Sequence, residues 1–373
     1  MIDVGRHPRV ALDVHMVGTH ETGNETYATE LALALGRTGE CETLLYTPNP
    51  GSFPERPVTG RIRKTPGVPS AIRLSLIYPW LAFRDNVDLL HVTYVAPPMM
   101  SRPTVVTVHD VSYRIFPRFF SPRVRFTLEL LVGRSVRRAA RVIAISQNTK
   151  HDLTRFYGID PGKIVVTPLA ASARFRRQAA DQVAEVRRRL RLPARYVLAV
   201  GNLQPRKNLG RLLDAFEVIA PDYADLALVL VGQSKWGGAD IEDRVRGLTA
   251  RGRIVMAGHV AERDLPAIYA GSDVFCYPSL YEGFGLPVVE AMACGAPTLT
   301  GDNSSLPEVA ADAALAVDVT SVAAIVRGLR RLLDCPELRT RLIRAGEERA
   351  RLFTWDMTAR RTIDVYRSVI ESR

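Results

Sequence analysis

Short runs of β-branched and apolar residues recur along the whole chain, and many of them are apolar on both faces. In the first half these runs are Val10–Val14, Thr43–Tyr46, Leu89–Thr93, Thr104–Val108, Val142–Ile145 and Ile164–Thr167. In the second half they are Tyr196–Val200, Ala227–Val231, Ile254–Ala257, Val274–Tyr277, Pro297–Thr300 and Ala314–Val317. Such runs are typical of buried strands in parallel sheets.

Helical periodicity fills most of the gaps between these runs. Asn24–Leu35 and Leu209–Ile219 each carry an apolar stripe at helical spacing, and Thr354–Ile370 is amphipathic as well. Pro48–Pro69 is rich in Pro, Gly and Thr and is predicted to be a surface loop. The alternation of strands and helices predicts an α/β fold of Rossmann-like, doubly wound parallel sheets with helices on both faces.

The pattern contains two such sheets in series, and a chain of 373 residues is long enough for two domains. Between the two sheets, Ala171–Pro193 is rich in Arg, Ala and Gln and shows no strand signal, so the domain connection is placed there. We therefore predict a first domain over residues 1–175, a second domain over residues 176–354, and a terminal helix over residues 355–373.

Composition limits the class of protein. With 47% hydrophobic and 24% charged residues, the chain is ordinary globular protein and not a disordered or low-complexity one. The net charge of +11 allows three anionic partners, which are nucleic acid, a membrane surface and a phosphorylated small substrate. No apolar run is long enough to predict a spanning helix. The four cysteines are scattered, which disfavours a disulfide framework or structural zinc and fits the cytoplasm.

A first candidate binding loop is Gly201-Asn-Leu-Gln-Pro-Arg-Lys-Asn208, which follows the strand Tyr196–Val200. Ligands of open parallel sheets bind outside the carboxyl ends of the strands. Arg206 and Lys207 are adjacent in this loop, and Pro205 stiffens the chain before them. Two fixed cations suit a diphosphate, although an isolated pair of this kind is more often a solvated basic turn.

A second candidate loop is Glu282-Gly-Phe-Gly-Leu-Pro-Val-Val-Glu290, which follows the strand Val274–Tyr277. Its glycines let a backbone approach a ligand closely, and Pro287 suits the first position of a helix. The free amides at that helix start would seat a phosphate. Glu290 is predicted in the first helical turn, where it would bind hydroxyls such as those of a ribose. A helix-capping acidic turn is the alternative.

Together the two loops resemble the signature loops of retaining nucleotide-sugar glycosyltransferases of the GT-B fold, specifically glycosyltransferase family 4. The pair of glutamates eight positions apart resembles that family's carboxylate motif. The resemblance extends over nearly the whole chain and includes Thr22-Gly23-Asn24, Val108-His109-Asp110, Ala144-Ile-Ser-Gln147, Asn303–Glu308 and the terminal helix Trp355–Tyr366. It implies two domains facing a central cleft, with the terminal helix packing back on the first domain.

By the same resemblance, the first domain binds the acceptor and the second binds the nucleotide-sugar donor. Arg206 and Lys207 would neutralise the departing diphosphate. Glu290 would bind the ribose, Glu282 would contact hydroxyls of the donor sugar, and His109 would lie near the reacting sugar. The other donor-binding residues that it implies are Gly23, Asn24, Gly201, Asn208, Gly283, Phe284, Gly285 and Leu286. Family members commonly need no metal, and no Asp-x-Asp motif is present, so no metal or other cofactor is expected.

The implied activity is retaining transfer of a hexose to a hydroxyl of a glycan or lipid-linked acceptor, in the assembly of cell-surface polysaccharide or glycolipid. Similarity to mannosyl-transferring members favours mannose from a guanosine donor. Front-face attack and a covalent intermediate both stay open. A nucleotide-sugar epimerase or a glycogen-synthase-like enzyme would have the same fold. A non-catalytic nucleotide-sugar-binding subunit of a membrane complex is the alternative of another class.

Single residues outside the two loops allow further predictions. His109 follows a predicted strand, and its context favours a place in the site over a structural role, whereas His91 is interpreted as lining the cleft. Asn24 fits a helix cap as well as a ligand contact. Ser305 and Glu308 have the spacing of a capping box, which favours a structural role.

A strongly basic segment, Arg114–Arg141, contains eight arginines and one acid, Glu129, with phenylalanines and leucines between them. A basic amphipathic region of this kind can lie on an anionic membrane, which would make the protein peripheral at the inner face. A helix that packs on the core with a solvated basic face is the alternative. Nucleic-acid binding is not expected, because no recognised nucleic-acid module is present.

Overall fold

The computed structural model describes residues 7–19, 22–53, 60–233 and 239–372. The chain divides into an N-terminal unit, Met1–Leu169 with Thr354–Arg373, and a C-terminal unit, Ala170–Phe353. The division between Leu169 and Ala170 lies slightly before the boundary that the sequence predicts after residue 175.

In the described part of the N-terminal unit, seven strands form one parallel sheet in the order β3-β2-β1-β4-β5-β6-β7. The strands are β1 (Arg9–Asp13), β2 (Glu42–Thr47), β3 (Arg61–Lys64), β4 (Leu89–Thr93), β5 (Thr104–Val108), β6 (Arg141–Ala144) and β7 (Ile164–Val166). Strand β1 pairs with β2 on one side and with β4 on the other. The chain therefore changes direction across the sheet between β1 and β4, which is where doubly wound sheets bind ligands.

Helices cover this first sheet. They are α1 (Thr22–Thr38), α2 (Ser70–Ile72), α3 (Tyr78–Arg84), α4 (Ser112–Ile115), α5 (Pro122–Arg138) and α6 (Gln147–Tyr157). A π-helical turn, Arg73–Ile77, joins α2 to α3, so that residues 70–84 run as one helix. The core between helices and strands includes the buried side chains of Leu90, Val106, Val136 and Leu153.

The last helix, α15 (Trp355–Glu371), is part of the N-terminal unit. Arg37 on α1 donates a hydrogen bond of 2.8 Å to Asp356, and the Thr358 hydroxyl donates one of 2.6 Å to the carbonyl of Pro168. Trp355 is buried near the ring of Tyr27. The chain thus returns from the C-terminal unit to complete the N-terminal one.

The described part of the C-terminal unit has a second parallel sheet, in the order β10-β9-β8-β11-β12-β13. Its strands are β8 (Arg195–Val200), β9 (Leu226–Val231), β10 (Ile254–Gly258), β11 (Val274–Tyr277), β12 (Thr298–Gly301) and β13 (Leu315–Val317). Its helices are α7 (Ala180–Arg189), α8 (Leu209–Ile219), α9 (Ala239–Gly247), α10 (Leu265–Ala270), α11 (Leu286–Ala293), α12 (Leu306–Ala310), α13 (Val322–Asp334) and α14 (Pro336–Ala350). Leu212 and Phe216 of α8 pack with Leu228 and Leu329 in its core.

These two parallel sheets confirm the predicted α/β fold, and one segment departs from the prediction. The predicted loop Pro48–Pro69 contains strand β3, whose Arg-Ile-Arg-Lys sequence lies at the sheet edge and is partly exposed. Residues 54–59 of that loop lie outside the described residues. The connecting segment contains α7, which is rich in charge and buries the side chain of Val186.

Candidate functional site

The site in the C-terminal unit lies at the carboxyl ends of two neighbouring strands. Strand β8 leads into Gly201 and β11 leads into Pro278, and the two strands pair directly in the sheet. Strands β9 and β10 lie on one side of this pair, and β12 and β13 on the other, so this is the point at which the strand order reverses. Crevices at such points are the usual ligand sites of open α/β sheets.

Both candidate loops meet there through three charged side chains. The Arg206 Nη1 donates to Glu282 Oε2 at 2.8 Å, and the Lys207 Nζ donates to Glu282 Oε1 at 2.7 Å. Each cation thus occupies one carboxylate oxygen, and the three side chains carry one net positive charge. We call Arg206, Lys207 and Glu282 the ion triad. Sequence reasoning predicted the three residues for this site but not their direct pairing.

The ion triad is largely shielded from water, with side-chain exposures of 18% for Arg206, 13% for Lys207 and 9% for Glu282. Burial alone would raise the pKa of Glu282, but the charges of Arg206 and Lys207 lower it to about 2. Glu282 is therefore already an anion at neutral pH. Its charged carboxylate orients both cations.

Backbone and aromatic contacts fix the cations further. Arg206 Nη1 donates to the carbonyl of Tyr281 at 2.8 Å, and the amide of Leu280 donates to the carbonyl of Arg206 at 2.9 Å. Lys207 Nζ donates to the Tyr277 hydroxyl at 2.5 Å and lies 4.7 Å from the centre of that ring. Tyr277 was not singled out from the sequence, although its position at the last residue of a predicted strand is a signal that could have found it.

Asn208 holds the first loop in place. Its Nδ2 donates to the carbonyls of Pro278 and Val319 at 3.0 and 2.8 Å, and its Oδ1 accepts from Arg211 at 2.8 Å. The residue is buried and takes the left-handed conformation, with φ of 58°. Both amide hydrogens are used within the protein, which supports a positioning role for Asn208.

The start of the first loop requires glycine. Gly201 has φ of 143°, and the Cβ of any other residue would lie 3.4 Å from Lys207 Cε. A side chain here would strain the backbone and would lie in contact with the lysine of the ion triad.

The second loop turns sharply before α11. Gly285 has φ of 101°, and a Cβ there would meet Leu306 at 2.8 Å, so the turn needs glycine. Gly283, Phe284 and Leu286, which the family resemblance implies contact the donor, are all buried in this turn. In the helix that follows, Pro287 has no amide hydrogen and the Val288 amide donates to the carbonyl of Gly285 at 2.8 Å, so a phosphate seat at this helix start stays a prediction.

A third loop, after β12, supports this turn. The Ser304 hydroxyl accepts from the amide of Glu282 at 3.1 Å, and the single proton of the Ser305 hydroxyl is shared between the carbonyls of Glu282 and Phe284, at 3.0 and 2.8 Å. Ser305 precedes α12 but makes no side-chain cap, so the predicted capping box with Glu308 is wrong. The hydroxyl instead satisfies carbonyls of the turn that carries Glu282.

Glu290 lies in the second turn of α11, not the first, because the helix begins at Leu286. Its Oε2 accepts from the Tyr269 hydroxyl at 3.0 Å. Burial raises the pKa of Glu290 to about 7, with a further rise from the charge of Glu262, while the Tyr269 hydrogen bond and Arg174 oppose the shift. The half-buried carboxyl can therefore act as acceptor or donor toward hydroxyls near neutral pH.

We expect Glu290→Gln to stabilise the protein increasingly as pH rises from about 4.5 to about 7. The unfolded chain loses this proton near pH 4.5, whereas the folded chain keeps it to about 7, so the wild type loses stability across that window. Glutamine stays neutral throughout. The difference in Tm between variant and wild type, measured across the window, should grow and then level off. The exposed Glu242→Gln serves as control, and a pH-independent difference would contradict the interpretation.

In the N-terminal unit, His109 follows β5 and is buried. Its ring packs against Tyr27, with centroids 4.7 Å apart, and against Tyr94 at 5.6 Å. Burial lowers the pKa of His109 to about 4, although the charge of Asp110 opposes this. Its Nε2 is buried without a hydrogen-bond partner among the described residues. A neutral imidazole with one unpartnered nitrogen can bind a hydroxyl at low electrostatic cost.

His91 has a structural role instead, so its interpretation as cleft lining is wrong. It is fully buried, and its Nδ1 and Nε2 lie 2.6 Å from the Tyr366 hydroxyl and 2.7 Å from the Thr107 hydroxyl. The Thr107 hydroxyl in turn lies 2.8 Å from that of Tyr27. This chain of polar contacts connects α15 to the sheet and to Tyr27, whose ring packs against His109.

Gly23 and Asn24 lie in the first turn of α1, where Gly23 is exposed and Asn24 is half-buried. A Cβ at Gly23 would meet nothing within 4 Å. The space in front of this turn is therefore open, and the donor-binding role of these two residues stays a prediction.

Two further features of the described residues concern metal ions and membranes. No group of three or more His, Cys, Asp or Glu residues in the described ranges could hold a metal ion. Within the same ranges, no helix is long and apolar enough to cross a bilayer.

Solved structures define the class of the fold. Sucrose-phosphate synthase from Thermosynechococcus elongatus is similar with a TM-score of 0.80 at 22% identity, over 99% of this chain and 100% of that chain. Anabaena Alr3699/HepE in complex with UDP is similar with a TM-score of 0.75 at 18% identity, over 97% of this chain and 100% of that chain. The protein therefore has the GT-B fold.

Sequence comparisons identify the family. The family described as Glycosyltransferase Family 4 matches residues 22–172, and Glycosyl transferases group 1 matches residues 184–349. The O-antigen chain mannosyltransferase B of Escherichia coli is 31% identical over 315 residues, which are 82% of this chain and 81% of that protein. The chain belongs to glycosyltransferase family 4 among the group 1 glycosyltransferases, as the sequence motifs predicted.

Proposed function

We propose that the protein is a retaining hexosyltransferase that moves mannose from a guanosine diphosphate sugar to a hydroxyl of a glycan or lipid-linked acceptor. The observation that carries the proposal is the ion triad, Arg206, Lys207 and Glu282, at the strand-order reversal of the C-terminal unit. The name of the E. coli mannosyltransferase supports the sugar and a place in cell-surface polysaccharide synthesis. The UDP bound to the Anabaena structure supports a nucleotide-diphosphate donor.

The C-terminal unit is proposed to bind the donor. Arg206 and Lys207 stabilise the negative charge that develops on the departing diphosphate, and Glu282 holds both cations in place before the reaction begins. Cations that are already oriented need no reorganisation when the bond breaks, which lowers the barrier.

Glu282 is proposed to position the donor rather than to attack it. Both of its oxygens bind a cation, and its pKa of about 2 makes it a weak base. Hydrogen bonds from Ser279 and Tyr277 also reach this carboxylate, which further fixes its orientation. These features support front-face transfer over a covalent intermediate on this carboxylate.

Glu290 is proposed to bind the ribose of the donor. Its carboxyl is half-buried one helical turn beyond the phosphate seat, and the Tyr269 hydroxyl fixes its orientation. Because its pKa is about 7, it can accept from one ribose hydroxyl and donate to another.

The N-terminal unit is proposed to bind the acceptor and to present His109 to the reacting sugar. The unpartnered Nε2 of His109 supports this role, since a buried polar nitrogen without a partner is costly unless a ligand satisfies it. No metal or other cofactor is assigned to the reaction, and this stays a prediction.

Attachment to the inner face of a membrane stays a prediction as well. Within the basic segment Arg114–Arg141, α5 buries Val132 and Val136 but leaves Phe126 and Leu130 exposed. The helix therefore packs on the core with one face and still presents apolar and basic side chains on its outer face, which supports contact with an anionic bilayer.

A panel of nucleotide sugars tests the proposed function. We expect GDP-mannose to give the largest rise in Tm, and incubation with a lipid-linked acceptor to give a mannosylated product with the donor's anomeric configuration. GDP-glucose and UDP-glucose are the matched controls for sugar and base. Isomerisation of the donor without an acceptor would assign an epimerase, and tight donor binding without turnover would assign a binding subunit.

A further inference from the structure

Tyr277 ends strand β11, and its side chain lies beside the ion triad although the residue belongs to neither candidate loop. It is 2% exposed. Because side chains alternate along a strand, Tyr277 shares one face of the sheet with Phe275, and the two rings stack with centroids 5.7 Å apart. The Thr300 hydroxyl on the neighbouring strand donates to the Tyr277 carbonyl at 3.3 Å. Stacking and backbone pairing therefore hold the phenol ring in one position.

The hydroxyl of Tyr277 joins two members of the ion triad. It accepts from the Lys207 Nζ at 2.5 Å, and its own proton is hydrogen-bonded to the Glu282 carboxylate. Burial, together with the charge of Glu282, raises the pKa of Tyr277 well above its usual value of 10.0, so the phenol keeps the proton that it donates. One hydroxyl thus acts as acceptor toward the cation and as donor toward the anion.

Packing alone does not require this hydroxyl. Phe275 supplies an aromatic ring on the same face of the sheet without one, and a phenylalanine at position 277 would fill nearly the same space. Burying a tyrosine hydroxyl costs free energy unless it is hydrogen-bonded. Its partners here are two charged groups of the proposed donor site, so the hydroxyl is explained by the site and not by the core.

Lys207 needs such a partner because its ammonium is a point charge at the end of a flexible aliphatic stem. Arg206, the other cation of the ion triad, is fixed by the Tyr281 carbonyl in addition to the shared carboxylate. The Tyr277 hydroxyl supplies Lys207 with a fixed acceptor in the same way. Each cation of the ion triad is therefore oriented by the shared carboxylate and by one neutral oxygen.

We propose that Tyr277 is a positioning residue for the transfer reaction, whose hydroxyl holds the Lys207 ammonium at the place where the leaving diphosphate gains charge. This role rests on the proposed function. Tyr277 acts through Lys207, whose orientation is fixed before the donor arrives. A lysine without this acceptor would sample other positions, and part of the binding free energy of the diphosphate would be needed to order it again.

Calorimetric titration of GDP across a double-mutant cycle tests the assignment. Tyr277→Phe removes only the hydroxyl and should weaken GDP binding about fivefold, within the range of one net hydrogen bond. The double variant with Lys207→Ala should bind GDP no more weakly than Lys207→Ala alone, because the hydroxyl acts through the ammonium. Tyr196→Phe, which removes a buried hydroxyl that donates to the Ile268 carbonyl at 2.7 Å, is the matched control and should bind as the wild type.

Transfer kinetics give a second measurement that a purely structural tyrosine would not move. The ammonium interacts more strongly with the departing diphosphate than with the intact donor, so kcat of Tyr277→Phe should fall about tenfold while KM for the donor changes much less. A rise in KM at unchanged kcat would contradict the positioning role, since it would mean that the hydroxyl contributes equally to the ground state and the transition state.

Lys207→Arg covers the case in which Tyr277→Phe does not fold, which thermal unfolding reveals. It keeps the charge, but a planar guanidinium cannot take the place of the ammonium between the Tyr277 hydroxyl and Glu282, so GDP should bind about fivefold more weakly. Wild-type affinity in either folded variant, or an equal loss from Tyr277→Phe with and without Lys207, would overturn the assignment.

The same titrations separate this assignment from the proposed function. Binding of UDP in place of GDP by the wild type would overturn the guanosine donor only, and the cycle then runs with UDP. If the wild type binds no nucleoside diphosphate, the proposed function fails and the role of Tyr277 fails with it. If the wild type binds one and Tyr277→Phe binds it equally well, the role of Tyr277 alone fails.

Discussion

Replacing Lys207 with alanine should weaken the binding of a nucleoside diphosphate by about 1.5–3 kcal/mol, the usual range for a hydrogen bond to a charged group. That range corresponds to a loss of affinity of about ten- to 150-fold. Lys207 is held by Glu282 and Tyr277 and is nearly buried, so its charge acts in a region that water screens poorly. The expected effect is therefore larger than for a surface lysine.

Calorimetric titration of GDP into the two proteins measures this loss. Arg327→Ala removes one exposed positive charge from α13 in the same unit and controls for net charge. In the variant, Glu282 keeps only Arg206 as its partner in the ion triad, which could destabilise the fold. Thermal unfolding therefore checks that the variant is folded. Unchanged affinity in a folded variant would remove Lys207 from the phosphate site.

The positions of the strands and their parallel type could be predicted from the sequence because parallel strands are buried on both faces. Runs such as Thr104–Val108 and Val274–Tyr277 carry no polar alternation, and the structure has them at the predicted residues. Strand β3 follows a different rule. Its Arg-Ile-Arg-Lys sequence pairs on one side only, and the charges that protect a sheet edge also hide the strand signal.

The residues of the ion triad could be predicted from loop motifs, but their pairing could not. Glu282 is 76 residues from Arg206 and 75 from Lys207 along the chain. Only the direct pairing of β8 with β11 brings the two loops together, and strand order is a tertiary property. The pKa shifts of Glu282 and Glu290 depend on the same packing, since one carboxylate meets two cations and the other meets a tyrosine hydroxyl.

Other roles were hidden because the sequence does not show which partner a polar side chain finds. His91 ends in a buried network with Tyr366, a residue 275 positions away. Ser305 has capping-box spacing, yet its hydroxyl satisfies carbonyls of the Glu282 turn. Tyr277 belongs to neither loop motif, and only the structure reveals that its hydroxyl contacts two members of the ion triad.

Glu282→Gln should lower turnover by about 100-fold, at the lower end of the range for removing one group that stabilises a transition state. Glutamine has nearly the same shape, but it cannot accept from two cations as a charged group does. Arg206 and Lys207 would then repel each other without their shared anion, and the developing positive charge on the sugar would lose a nearby negative one. Donor affinity should change much less, because both cations still face the diphosphate.

Steady-state transfer rates and donor titration separate these two effects, with the exposed Glu242→Gln as the control for charge and composition. The unfolding free energy gives an independent measurement. Because the folded-state pKa of Glu282 is about 2 and its usual value is 4.5, the stability that its ionised form contributes is complete above pH 4.5 and is lost as pH falls toward 2. The stability difference between wild type and variant should therefore shrink across that window. A wild-type transfer rate in the variant would rule out the positioning role of the carboxylate, since the two cations would then act without their shared anion.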